Sequence, residues 1–242
     1  TCKLEFNAVE RDTIGKEIPA FQKDSWSTIA ANVKSGNTSK YNVGDTKEVD
    51  LGDLGIHTVR ISNMSECTNG ETSETACGFV VEFADIITKH NINSTITNIG
   101  GWKDSEMRRY INHDVFYSLP TDLQNIIVST KVVSGHGNTS GETNFETQDK
   151  LYLLSIEEIY NAEASDTSLG TSKQLDYYKQ LGVSETNYND LIKQYNSNNT
   201  GWWLRSAFNL DKKGFLYVSI FGTFSDSYAD SIAGISPAFK IS

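Results

Sequence analysis

Two carboxylate pairs in this 242-residue chain have a spacing that could serve acid–base chemistry: Glu157 with Glu158 in "SIEEIY", and Asp226 with Asp230 in "FGTFSDSYADSIAG". Adjacent and i,i+4 carboxylates are far more often solvated surface, and both pairs are read so here. There is no Gly-x-Ser-x-Gly elbow for a nucleophilic serine. The glycines around His136 in "SGHGNTSGE" have no strand feeding a helix, so they do not read as a phosphate cradle. His57, His90, His113 and His136 are scattered, and neither His-x-x-x-His nor Cys-x-x-Cys occurs. The sequence therefore predicts no catalytic residue, no structural metal and no cofactor.

Recognition chemistry is better represented. "GWWLRSAFNLDKKGFLYVSIFG", from Gly201 to Gly222, is the densest aromatic stretch in an otherwise polar chain. If "WWLR" is a strand, Trp202 and Leu204 share one face and Trp203 and Arg205 the other. Trp202 then reads as core, while Trp203 reads as packing or as the floor of a groove. Arg205 reads as a buried fork tying loops through carboxylate or carbonyl groups, with anion binding as the alternative. Downstream, Phe221, Phe224 and Tyr228 are interleaved with small polar and acidic residues, a composition suited to a recognition loop or to a hairpin folded back on the core. The candidate ligand-binding residues are Trp203, Arg205, Phe221, Phe224, Asp226, Tyr228 and Asp230.

These residues need elements to hold them. In "DSWSTIAANVKSG", Trp26, Ile29, Ala30 and Val33 follow helical spacing behind Asp24 and Ser25, with Gly36 as the stop. "KEVDL" and "IHTVRIS" flank "GDLG" and predict a hairpin over 47–62, and "GFVVEF" predicts a further strand. "KDSEMRRYINHDVFYSLP" predicts a helix capped by Asp104 or Ser105, with Met107, Tyr110, Ile111 and Phe116 toward the core and Glu106 paired with Arg109 on the surface. Pro120 opens a second helix through "TDLQNIIVST", and residues 135–150 read as a long exposed loop. "LYLLS" reads as a buried strand, and Ser155 with Glu158 as a capping box. "KQLDYYKQLG" and "TNYNDLIKQYN" read as helices, after which "GWWLR", "GFLYVSI" and "GISPAFKI" read as strands. The expected fold is one α+β domain over 25–242 after a lead-in at 1–24, with short helices in the middle and a sheet built from N- and C-terminal strands.

Composition narrows the partners. There are 21 basic and 31 acidic residues, a formal charge of −10, which disfavours nucleic acid and anionic lipid. The most apolar run, "GFVVEFADII", is broken by Glu82 and Asp85, so no membrane span is expected. Cys67 and Cys77 flank the polar stretch "TNGETSETA", where a disulfide or two free thiols are both compatible with the sequence. The chain starts at Thr1 without a leader pattern and is expected to be part of a longer protein.

Five separated motifs, "TIAANVKSG…YNVGD", "GGWKDSEMRRYIN…FYSLPTDLQNII", "DKLYLLSIEEIY", "GWWLRSA" and "GISPAF", together resemble an uncharacterised domain family of Gram-positive, largely gut-associated bacterial surface proteins and lipoproteins. The resemblance runs from about residue 25 to 242 and implies an extracellular or surface-anchored location. Where that family commonly reads Trp-Trp-Leu-Arg-Ser-Pro and Gly-Val-Arg-Pro, this chain has Ala207 and Ser236. The closing strands are also similar to the terminal sheet of C-type-lectin-like domains, including the formylglycine-generating branch. The lectin calcium-ligand motifs are missing, and the last cysteine is Cys77, so neither activity carries over. What the resemblance implies is a noncatalytic binding module for glycan or for a host or bacterial surface protein, acting through its C-terminal loops. The alternatives are an enzyme of formylglycine-generating-like fold or another hydrolase, and a spacer module.

Overall fold

The computed structural model describes residues 17–138, 144–160 and 172–242. Helices α1 (Ala20–Lys23) and α2 (Trp26–Lys34) lead into the hairpin of β1 (Thr46–Asp50) and β2 (Ile56–Asn63), followed by β3 (Val80–Phe83) and β4 (Thr88–His90). Helices α3 (Gly101–Asp104) and α4 (Glu106–Tyr110) come next, and a π-helical turn over Ile111–Val115 joins α4 to α5 (Phe116–Ser118). Then come α6 (Thr121–Ile126), β5 (Ile127–Val128), β6 (Thr130–Ser134) and β7 (Phe145–Asp149). After α7 (Ile156–Tyr160) and α8 (Asp176–Gln180) the chain is all strand: β8 (Lys193–Tyr195), β9 (Asn198–Thr200), β10 (Trp202–Ala207), β11 (Gly214–Val218), β12 (Phe224–Tyr228), β13 (Ala233–Ile235) and β14 (Ala238–Ile241).

Two five-stranded sheets organise the domain, in the orders β1-β2-β3-β14-β5 and β12-β11-β10-β13-β4. Each joins distant parts of the chain: β14 lies between β3 and β5 in the first, and β4 pairs with β13 at the edge of the second. A single hydrophobic core runs from Phe21, Trp26 and Val59 through Trp102 and Leu153 to Trp202 and Phe239. The fold is thus a mixed α/β single domain, richer in sheet than in helix. Phe21, which falls in the expected lead-in, packs in this core.

Capping signals act as the sequence implies. Ser25 Oγ accepts from the Thr28 amide at 3.2 Å and Ser105 Oγ from the Arg108 amide at 3.1 Å, each relieving an orphan donor of a helix start. Ser155 and Glu158 form the reciprocal box, with Glu158 Oε2 2.9 Å from the Ser155 amide and Ser155 Oγ 3.4 Å from the Glu158 amide.

Several expected elements are different. The second helix stops at Ile126, because Ile127 and Val128 extend to pair with β14 and Thr130–Ser134 pairs with Phe145–Asp149. That pairing also replaces part of the long loop expected over 135–150; residues 139–143 lie outside the described residues. "LYLLS" is buried but pairs only through an isolated bridge between Tyr152 and Ala238. "TNYNDLIKQYN" is not a helix: a 3₁₀ turn at Asn189–Leu191 gives way to the β8–β9 hairpin, whose corner holds Asn196 and Ser197 at φ of 50° and 63°. Glu106 and Arg109 do not pair; Glu106 holds the Ser94 amide and hydroxyl at 3.0 and 2.7 Å, while Arg109 donates to the Asp104 carbonyl.

The cysteines left open by the sequence are resolved as a Cys67–Cys77 disulfide with a sequence separation of 10. Closing a loop of that size stabilises a fold by about 2–3 kcal/mol on the chain-entropy account. Paired Cys67→Ser/Cys77→Ser substitution is accordingly expected to lower the urea midpoint of unfolding with little change in slope. Equal midpoints for the variant and the oxidised protein would show that the bridge adds nothing.

Candidate functional site

Of the charged groups that sequence reading considered for chemistry, Glu158 and Arg205 are enclosed, whereas Asp226 and Asp230 are exposed. Arg205 and Glu158, at 1% and 0% exposure, form a two-pronged pair: Nη1 donates to Oε2 at 2.6 Å and Nη2 to Oε1 at 2.5 Å. Arg205 also donates to the Leu153 carbonyl at 2.8 Å, and the Thr75 hydroxyl donates to Glu158 Oε1. Burial works to raise the Glu158 carboxyl, but the Arg205 charge and its hydrogen bonds outweigh it and hold the group below its ordinary value. Arg205 is therefore a structural fork, and Glu158 is its buried partner rather than part of a solvated face with Glu157.

A second buried cluster joins the sheets. Glu82 on β3 accepts from Arg60 Nε at 2.9 Å and from the Tyr178 hydroxyl at 2.8 Å, and it lies 3.4 Å from Lys193 Nζ. Lys193 also donates to the Phe83 carbonyl and to Ser236 Oγ, and it sits 4.4 Å from the Trp202 ring centroid. Burial draws the Lys193 ammonium down to about 8, against the opposing pull of Glu82. Ser236 thus receives the lysine and itself donates to the Phe83 carbonyl at 2.8 Å.

The open surface with recognition chemistry is a groove of about 650 Å³ over the second sheet. Its lining comes from β12 (Ser225, Ser227), β11 (Tyr217), the residue preceding β10 (Gly201), β13 (Ala233) and β4 (Lys89). At the usual strand spacing, crossing five strands spans roughly 19 Å. Thr200, Ser219, Thr223, Ser225, Ser227 and Ser231 bring six hydroxyl side chains to the lining, and Ile220, Phe221 and Ile232 add apolar ones. Phe221 and Ile232 are 69% and 72% exposed.

One aromatic ring of the groove is packed in place and the other is carried on an ordered turn. Tyr217 lies over Gly201, where an added Cβ would come 2.9 Å from the ring, and packs edge-on against buried Trp203 with centroids 5.9 Å apart. Phe221 stands on a tight turn closed by the Ser219 amide to the Thr223 carbonyl at 2.7 Å and by a Ser219–Thr223 hydroxyl pair at 2.8 Å. Gly222, at φ 86°, closes that turn against the Tyr188 backbone, and its carbonyl accepts from the Tyr160 hydroxyl. The backbone that carries this exposed ring is thus already ordered and has little freedom to lose on binding.

The structure brings one sequence candidate, Phe221, to the groove lining and sets Trp203 beneath it as support. Register separates three others: Val218 opposes Phe224, Leu216 opposes Asp226 and Gly214 opposes Tyr228, on the face opposite Tyr217, Ser225 and Ser227. Phe224 packs edge-on against Tyr160 at 5.3 Å, Tyr228 is exposed, and Asp230 lies exposed in the turn after β12. Sequence reading missed Tyr217, Lys89 and the hydroxyl row; the alternation of Ser225 and Ser227 within "FSDSY" was the available signal once that segment was read as a strand. A larger depression of about 780 Å³ lies along α4 and the π-helical turn. There, Arg108 is committed to Asp149 at 2.6 Å, Glu106 to Ser94, and His90 stacks on Tyr110 with centroids 4.5 Å apart, while Arg109, His113 and Asp114 are exposed along it. Among the described residues, no group of three His, Cys, Asp or Glu side chains is placed to hold a metal, and no helix is long and apolar enough to cross a membrane.

Residues 80–242, about two thirds of the chain, match the family model DUF6273, a domain of unknown function. The chain belongs to this family. The DUF6273 match starts on β3, so it contains the whole groove lining together with Glu158, Lys193 and Arg205, while Arg60, Thr75 and the β1–β2 hairpin lie before it. No curated protein and no solved structure matches the chain.

Proposed function

We infer that this DUF6273 protein is a noncatalytic binding module that holds an oligosaccharide in the groove over its second sheet. The observation that carries the reading is the combination in one groove of a row of hydroxyl residues, a Tyr217 ring packed against buried Trp203 and an exposed Phe221 ring carried on a hydrogen-bonded turn. Sugar rings offer both hydroxyls for hydrogen bonding and C–H faces for aromatic contact, and the width of the sheet suits several linked units better than one. A cell-surface or secreted location accords with the Cys67–Cys77 disulfide, a bond that persists in oxidising compartments. A C-type-lectin-like fold accords with the pairing of β14 beside β3.

The test is an immobilised-glycan array probed with the labelled domain and with Ser225→Trp, which places a large ring in the groove from an exposed position on β12. The wild-type domain is expected to be retained by at least one oligosaccharide class. Ser225→Trp should lose that retention by tenfold or more while unfolding as the wild type does, since the substitution touches no core residue. Retention of no glycan, or equal retention of Ser225→Trp, would overturn the reading.

A further inference from the structure

The sign of the groove differs from that of the chain around it. Acidic residues outnumber basic ones by 31 to 21, yet the described residues lining the groove include no carboxylate and one charged side chain, Lys89. Asp226, although it belongs to a lining strand, lies on the opposite face with Leu216, and Glu158 is closed inside the core. Lys89 lines the groove from edge strand β4, at the end away from Ser225 and Ser227 on β12. It takes part in no ion pair among the described residues; its ammonium rests 5.3 Å from the Tyr195 ring centroid, a contact that leaves it able to accept an anion. On a surface whose overall charge repels anions, a carboxylate-free groove with one cation at its end selects for charge at that end.

Resting on the oligosaccharide reading above, we propose that the groove takes an anionic oligosaccharide, with an acidic group on one sugar at Lys89 and neutral sugar faces against Tyr217 and Phe221. A sugar carboxylate and a sugar phosphate present the same charge to an ammonium, so the experiment separates them. Oligosaccharides are arrayed as matched pairs: uronic-acid oligomers beside their methyl esters, and phosphorylated oligomers beside their dephosphorylated forms. The wild-type domain should favour the charged member of at least one pair by about fivefold, the scale of one solvent-accessible ion pair, and the preference should shrink with added salt. Which pair shows it identifies carboxylate or phosphate as the source.

Lys89→Gln should bring the two members of that pair to equal affinity without abolishing binding, and Lys89→Arg should restore the preference. Retention of neutral members as strong as that of charged ones would overturn the anion inference and leave the groove reading standing. A preference that survives Lys89→Gln would also overturn it, since the anion would then contact some other residue. Retention of nothing on the array would remove both readings together.

Discussion

Glu158→Gln should destabilise the domain by about 3–5 kcal/mol, the usual cost of removing one partner from an enclosed ion pair. The substitution keeps the shape of the side chain but leaves the Arg205 charge at 1% exposure without its counter-ion. The contacts left to the guanidinium, the Leu153 carbonyl and the Thr75 hydroxyl, are neutral, and Nε has no hydrogen-bond partner among the described residues, so nothing there replaces the lost counter-ion. For a domain of this size the loss corresponds to a fall in melting temperature of roughly 6–20 °C. The pair also has a pH signature. Because the folded carboxyl is held below its ordinary value of 4.5, the unfolded chain binds more protons in the acid range. The contribution is complete above that value and is lost as the pH falls through the folded pKa, so wild-type stability should decline on acidification and Glu158→Gln should flatten that part of the decline. The double variant Glu158→Leu/Arg205→Met, which removes both charges, should be more stable than Glu158→Gln alone. If urea unfolding gave Glu158→Gln the same midpoint as the wild type, the pair would not be the brace described here.

How far such a pair could be foreseen depends on the range of the forces that place it. Ser155 and Glu158 were legible as a capping box because that motif lies within one helical turn. Arg205 was legible as a buried fork but not as the partner of Glu158, since it is 47 residues further on and reaches that carboxylate only after β10 has packed against the chain preceding α7. Residues 47–62 were legible as a hairpin because alternation and the glycines of "GDLG" act locally. Residues 127–130, read as the end of the second helix, became strand because β14 and β7 offered pairing edges from the opposite end of the chain and from beyond the 135–144 stretch. Tertiary pairing overrides propensity in this way wherever a short apolar run fits either period.

The groove was partly legible for the same reason. An exposed aromatic among glycine and serine pointed to Phe221, whereas Phe224, Asp226 and Tyr228 shared its composition but not its face. A one-residue change of register would exchange Ser225 and Ser227 for those three side chains, and composition carries no information about register. Lys89 was invisible to sequence reading because β4 joins the sheet only through its pairing with β13, more than a hundred residues later.

Trp202→Ala is the second change expected to be severe, at about 3–5 kcal/mol for a fully buried large-to-small substitution. Trp202 is opposed to Val218 on β11 and to Gly234 on β13, so its ring fills the inner face of the second sheet. Its indole donates to the Leu191 carbonyl at 3.0 Å, fixing the turn that precedes β8, and the ring covers the Lys193 ammonium 4.4 Å from its centroid. Truncation removes all three contacts at once and leaves a buried ammonium facing a cavity. Trp202→Phe keeps a ring over Lys193 and gives up the indole hydrogen bond, so a smaller loss of about 1–3 kcal/mol is expected. Tyr228→Ala, at an exposed position on the far face of β12, should unfold within about 0.5 kcal/mol of wild type. Thermal or urea unfolding of the three variants requires no ligand and orders them directly. If Trp202→Ala unfolded with the wild type while Tyr228→Ala collapsed, the junction between the sheets would have to lie at β12, and the brace through Lys193 and Glu82 could not be what joins them.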